Sequence, residues 1–381
     1  MKIETENALE LFFPKTALSL VYFEAIANSL DANASNIDIN IYIEDKTVSH
    51  SLKIDITDDG DGFTEENFNR FEKLLNPKDK SHKGIGRLVF LKYFNRIEIQ
   101  SSWLNQNRSF IFDSKGIKNN IISNNTENKK ITKLLFREFR GDKIHSYNYI
   151  NPIELKKSII EHFLPKLNTL AQQKIPFKIN IAFLDEVFES LDQENIDLVV
   201  SLINNIYEDK VSITENDLPE LIESENSIFI PSNLGQEYEI KVFYLIEKID
   251  DASQLLIAFN IDNRTVVIEN FLKKDVLPAI GYRCIFLFSS TLFDNCTDTS
   301  RQKFNLPDEI SQNELKRHLR DAIGKILTDE IPDIKAKNAE TKQEFEKNFP
   351  HLIGYFEKDV VGLIDKNEAL NDAQTNLFKE Q

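Results

Sequence analysis

The sequence predicts an α+β protein: a larger N-terminal α/β domain, a smaller α/β domain after it, and a helical C-terminal segment. Three observations carry that expectation. Over the first 185 residues, stretches with a helical apolar period alternate with stretches of period two. From Tyr238 onward, four apolar-rich runs follow at short intervals, the pattern of a strand-rich unit. After Pro307 the chain turns charged and helical to its end. With 381 residues, 41% of them hydrophobic and 28 of them Phe, the chain can fill two cores. The expected divisions are 1–185, 186–310 and 311–381, with an irregular, acidic insertion near 186–235.

The elements follow in order. A helix is expected from about Lys15 to Asn33, then strands at SNIDINIYIED and at LKIDIT (52–57). DDGDGF is a sharp turn. TEENFNRFEKLL opens a short helix with Thr64 as N-cap and two Glu in the first turn. NPKDKSHKGIGR is a polar loop, and LVFLKYF continues from it as a helix. NRIEIQSS, RSFIFDS and ITKLLFREF read as strands, and KNNIISNNTENKK as a polar turn or loop. INPIELKKSIIEHFLPKLNTLA is helical, with Pro152 near its start, and PFKINIAF is a strand. YEIKVFYLIE, QLLIAFNI, RTVVIENF and YRCIFLFSS complete the strands. The final AQTNLFKEQ reads as a helix without a stop signal, as in a truncated chain or a flexible end.

Bulk properties narrow the function. A net charge of −16 argues against a broad, sequence-independent nucleic-acid surface, though not against a local basic groove. Cys284 and Cys296 form no Cys-x-x-Cys pair and have no His beside them, so no zinc site is expected. The N-terminus MKIETENALELFF lacks the basic start and apolar core of a signal peptide, and no run of about 18 apolar residues occurs. A soluble, cytoplasmic protein is the expectation.

Three segments carry chemistry. On the first helix, Glu24, Asn28 and Asp31 share one stripe: Asn28 lies about 40° round from Glu24 and Asp31 about 20° the other way. They offer oxygen ligands without a cation, beside the apolar Phe23, Ile26, Ala27 and Leu30. Next, Asp58-Asp59-Gly60-Asp61-Gly62 follows a strand directly. A buried Asp there can accept a hydrogen bond from an exocyclic amine, and the glycines let a ring or phosphate approach the backbone. Last, Lys83-Gly84-Ile85-Gly86-Arg87 opens a helix. A Gly-x-Gly there turns unpaired N–H groups toward phosphate oxygens, with Lys83 and Arg87 adding charge. Asn28 can give one oxygen to Mg²⁺, and Glu24 can orient and deprotonate a water.

Each segment alone has a plainer reading. Glu-x-x-x-Asn recurs on solvated helix faces, and DDGDG is often a hairpin turn. Asp55, Thr57, Asp59, Gly60 and Glu66 nearly fit a calcium loop, but the strand-like LKIDIT stands where a helix is needed. None of the six His shows metal or catalytic spacing, and Trp103 reads as a packing residue.

Together, in order and spacing, FEAIANSLDA, DDGDGF and KGIGR resemble the N box and the two glycine boxes of the GHKL ATPases. That superfamily includes gyrase, the ninety-kilodalton heat-shock chaperones, histidine kinases and MutL. The resemblance spans about residues 15–140. It implies the Bergerat fold, a two-layer α/β sandwich, with ATP and Mg²⁺ as ligands. It makes Glu24 the general base, Asn28 the metal ligand and Asp58 the adenine-binding carboxylate. Asp31, Gly60 and Gly62 join the nucleotide-facing set. Lys83, Gly84, Ile85, Gly86 and Arg87 become the phosphate-binding end of an ATP lid at about 74–83.

Residues 238–310 look like the transducer domain of gyrase and MutL, where a basic loop residue reaches the γ-phosphate. Arg301 and Lys303 of SRQKFNLP are the candidates, and Gln302-Lys303 is similar to the gyrase pattern. The implied function is slow ATP hydrolysis that gates a homodimer, with MKIETENALELFF as an exchanged arm. The boxes look closest to MORC-like and stand-alone bacterial members. That suggests a DNA-directed or antiviral defence assembly with a DNA or nuclease partner. A chaperone-like ATPase and a non-hydrolysing ATP/ADP scaffold are the alternatives.

Overall fold

A computed structural model describes residues 17–43, 51–72, 86–124, 127, 129–141, 150–184, 210–233, 235–261, 263–267, 277–294, 296, 306, 310–348 and 350. The chain divides into two compact units after Leu218.

In the first unit, α1 (Ser19–Asp31) leads into β1 (Asn36–Tyr42) and β2 (Lys53–Asp58), then α2 (Glu65–Glu72) and α3 (Leu88–Tyr93). The meander β3 (Phe94–Trp103), β4 (Gln106–Asp113), β5 (Gly116–Asn124) and β6 (Ile131–Phe139) follows. The unit continues with α4 (Pro152–Gln172), β7 (Lys178–Leu184) and β8 (Val211–Ile213). The sheet order is β5-β4-β3-β6-β2-β1-β7-β8, antiparallel except where β1 meets β7. Helices and sheet share one apolar core, which makes the unit a two-layer α/β sandwich of the Bergerat type.

Local signals explain the elements. Thr64 Oγ1 accepts from Asn67 N at 3.2 Å, as a cap should. Asn151 caps α4 by accepting from Ile153 N and Glu154 N, with Pro152 at the first helical position. On the inner face of the sheet, buried side chains form rows across the strands. Ile39, Ile56, Leu134, Ile99 and Phe110 stand in register, and so do Ile41, Ile54, Phe136, Ile97 and Phe112. The next row reads Ile37, Asp58, Thr132, Ser101 and Arg108, so the core turns polar at this edge.

Two local expectations change. KNNIISNNTENKK, expected as a turn or loop, contributes residues up to Asn124 to β5. Its side chains from Lys118 to Asn124 are all exposed, so no apolar alternation marks it, and pairing with β4 makes it a strand. Within the stretch expected to be irregular, β8 pairs with β7, while β9 (Ile222–Glu223) and β10 (Ile228–Pro231) pair with a strand of the second unit.

That unit holds β11 (Glu237–Ala252), β12 (Gln254–Ile261), β13 (Arg264–Val267) and β14 (Ile280–Ser289). Their order is β10-β11-β14-β12-β13, with β12 and β14 parallel. Helix α5 (Gln312–Glu330) buries Leu315, Leu319, Ile323 and Leu327 in the same core as the sheet. Helix α6 (Pro332–Asn348) follows, and the Tyr282 hydroxyl donates to its Asp333 at 2.6 Å. No described helix is long and apolar enough to cross a membrane.

Candidate functional site

The polar edge of the first unit gathers the sequence candidates. Asp58 ends β2 on the inner face, where the alternation that buries Ile54 and Ile56 buries it too, at 6% exposure. Its Oδ1 accepts from Gly60 N at 2.9 Å, and its Oδ2 lies 2.9 Å from the Ser29 hydroxyl. That hydroxyl also lies 3.1 Å from the Ala25 carbonyl, so two acceptors share one proton. Burial pushes the Asp58 carboxyl above its ordinary range, the Asp59 charge adds to that, and the bonds from Gly60 and Ser29 oppose it.

The next two carboxylates have structural work. Asp59 accepts from Ser35 N at 2.7 Å, from Ser35 Oγ at 2.6 Å and from Asn36 N at 2.9 Å, tying the turn to the start of β1. Burial alone would raise it, but these bonds together hold it below its usual value. Asp61 is held low by the Lys130 ammonium at 2.8 Å and the Asn33 amide at 2.9 Å.

Both turn glycines have a packing reason of their own. A Cβ on Gly60 would meet the Ala32 carbonyl at 2.8 Å. Gly62 has a φ of +75°, and a Cβ there would stand 2.6 Å from Ser101 Oγ. Ser101 Oγ accepts from Phe63 N at 2.9 Å and pairs with Thr132 Oγ1 at 3.0 Å. Arg108 closes the row. Its guanidinium donates to the Phe63 and Thr64 carbonyls, each at 3.2 Å, and to the Glu65 carboxylate, and it lies over the Phe68 ring. Trp103 packs beside it, buried, as expected of a packing residue.

On α1 the polar stripe has formed. Asn28 and Asp31 are exposed and Glu24 is half-buried, while Ala25, Ile26, Ser29 and Leu30 face the core. Gly86 lies directly against Glu24: a Cβ at position 86 would come within 2.1 Å of the Glu24 carboxylate. Arg87 is buried, its guanidinium 4.7 Å from the Phe71 ring centre, and Nη1 donates to the Arg70 carbonyl at 3.5 Å. Burial pulls Arg87 down to about 10, and the Glu24 charge opposes that.

The described structure thus brings Glu24 to Gly86 and Arg87, and joins Asp58 and Gly60 to the same helix through Ser29. Lys83, Gly84, Ile85, Arg301 and Lys303, with the N-terminal arm, lie outside the described residues. Ser29, Thr132, Ser101 and Arg108 were missed by sequence reasoning. Ser29 carried a signal, since it sits one position past Asn28 on the buried side of a helix. The other three become visible only when the strands are aligned.

Comparison with known proteins agrees with this architecture. Residues 16–144 match the family model described as histidine kinase-, DNA gyrase B-, and HSP90-like ATPase. No curated protein matches. A crystal structure of the N-terminal domain of a DNA repair protein is similar over 86% of this chain and 98% of its own, at 13% identity and a TM-score of 0.54. The Aquifex aeolicus MutL ATPase domain complexed with ADP aligns with 72% of this chain and 91% of its own, at 13% identity and a TM-score of 0.37.

Proposed function

We propose that the N-terminal unit, whose residues 16–144 match a model of the histidine kinase-, DNA gyrase B-, and HSP90-like ATPases, binds ATP with Mg²⁺ and hydrolyses it slowly as a conformational switch. The observation that carries this reading is the buried Asp58 carboxylate, fixed between Ser29 and Gly60 on the unit's polar edge. A carboxylate kept out of water has unused acceptor capacity for an exocyclic amine, which an adenine supplies. Thr132 stands opposite it in the strand register, with a hydroxyl facing the same side.

Glu24 is the general base in this reading. A water aligned on the γ-phosphorus gives its proton to the Glu24 carboxylate as the new P–O bond forms. The bond from the γ-phosphorus to its bridging oxygen breaks, leaving ADP and phosphate. The donors fit a hard cation: Asn28 offers an exposed side-chain oxygen one turn from Glu24. Mg²⁺, when bound, supplies charge neutralisation at the phosphates. Asp31, Gly60, Gly62 and the Lys83–Gly86 segment complete the nucleotide-facing set, and Lys303 or Arg301 senses the γ-phosphate. Two copies close on ATP through the arm at residues 1–13. The assembly served is DNA-directed or defensive, in keeping with the fold shared with a DNA repair protein's N-terminal domain.

Glu24→Gln tests the core of this. It is expected to bind ATP and to dimerise with it, while phosphate release falls about 100-fold or more. Turnover that survives Glu24→Gln would sink the assignment of the base. A wild type that binds nucleotide without turnover or mass change would leave a nucleotide-bound scaffold.

A further inference from the structure

Arg87 follows Gly86 directly, at the point where the chain touches Glu24. A residue that adds charge for incoming phosphates should keep its head at a solvent-facing mouth. Arg87 does the reverse: it is 5% exposed, and its guanidinium lies over the Phe71 ring and reaches the Arg70 carbonyl. Both contacts belong to the last turn of α2, where a cation also meets the negative end of the helix dipole. A guanidinium out of water needs a counter-charge. Glu24 acts on it electrostatically, and Gly86 leaves room for the Glu24 carboxylate at that spot.

We propose that Arg87 is a positioning residue for Glu24, tying the base to the end of α2, rather than a ligand of the phosphates. The proposal rests on the reading of Glu24 as general base. A nucleoside triphosphate brings several negative charges up to that carboxylate, which would repel it from its working position. A cation fixed by stacking and burial offsets that field at the moment the base is needed. Because the same guanidinium is attached to α2, a shift of that helix's last turn alters the base without altering the nucleotide's own contacts.

The experiment compares wild type with Arg87→Met, Arg87→Lys, Glu24→Gln and the double variant Glu24→Gln/Arg87→Met. Affinity for a fluorescent nonhydrolysable ATP analogue is measured separately from phosphate release at saturating ATP. Arg87→Met is expected to keep its affinity within about threefold and to lose about 10- to 100-fold in turnover. Arg87→Lys should recover part of the loss, since the charge remains and the planar stack does not. The double variant should turn over no more slowly than Glu24→Gln alone, because Arg87 acts only through that carboxylate.

Should Arg87→Met fail to fold, Arg87→Lys carries the same split of turnover from affinity. A tenfold or larger loss of affinity with turnover unchanged would make Arg87 a phosphate ligand and overturn the proposal. A double variant slower than Glu24→Gln would overturn it too, as would wild-type behaviour of both Arg87 variants. Failure of the base assignment itself shows earlier and separately, as turnover in Glu24→Gln with Arg87 intact.

Discussion

The Glu24 carboxylate occupies the space where a side chain at Gly86 would stand: a Cβ there would lie 2.1 Å from Glu24 Cδ and Oε1 and 2.3 Å from Oε2. This gives Gly86 a packing reason to be glycine. The obstruction is the far end of a flexible side chain, so Gly86→Ala can be accommodated by moving the carboxylate rather than the backbone. Gly86→Ala is expected to change folding stability by less than about 1 kcal/mol while costing about tenfold or more in turnover. Unchanged phosphate release in a folded Gly86→Ala protein would show that the position of Glu24 does not matter.

Asp58→Asn should separate binding from stability. Replacing the carboxylate by an amide turns one of its two acceptor oxygens into a donor, which opposes the Ser29 or Gly60 donor or the incoming amine, so nucleotide affinity is expected to fall at least about 100-fold. The stability effect has a definite sign. Burial raises the folded-state value of Asp58, so its contribution is fully present below the unfolded value and is lost as pH rises through the folded one. Wild type therefore loses ground to Asp58→Asn across that window, and the variant is relatively more stable at neutral pH. Thermal unfolding of both proteins across that range, without nucleotide, checks the slope; parallel curves would contradict it.

Arg108→Met probes the latch on the glycine turn. The guanidinium holds the Phe63 and Thr64 carbonyls from the sheet, while the Glu65 carboxylate it pairs with is largely exposed. Loss is expected to destabilise the unit by about 3 kcal/mol, mainly through the two carbonyls and the stacking on Phe68. Faster amide exchange should be confined to residues 60–68. A denaturation midpoint equal to wild type would mean the latch contributes nothing.

Tyr22 is fully buried on α1, and its hydroxyl has no partner among the described residues. Tyr22→Phe removes a desolvated polar group without opening a cavity, and should stabilise the protein by about 1 kcal/mol. A lowered melting temperature would show that the hydroxyl is satisfied after all.

Much of the site was legible in the sequence because it depends on local spacing. The helical period alone puts Glu24, Asn28 and Asp31 on one stripe. The strand period alone buries Asp58 after Ile54 and Ile56, and Thr64 announces the cap of α2. Other parts were not legible. Strand β5 has exposed side chains on both faces, so only its pairing with β4 identifies it. Helix α5 reads as a charged C-terminal segment, yet Leu315, Leu319, Ile323 and Leu327 complete the second unit's core.

By itself, then, the sequence determined the α+β class, the order of most elements, the polar stripe of α1 and the turn after β2, since periodicity and turn chemistry act over a few residues. Tertiary structure alone decided which distant residues meet. Strand register aligned Thr132, Ser101 and Arg108 with Asp58, although they lie far apart in the chain. Helix–sheet packing brought Ser29 to Asp58, and the close approach of α1 to residue 86 placed the Glu24 carboxylate in the space a glycine leaves open. No local preference encodes such pairings; they follow from burying one face of every element in a common core.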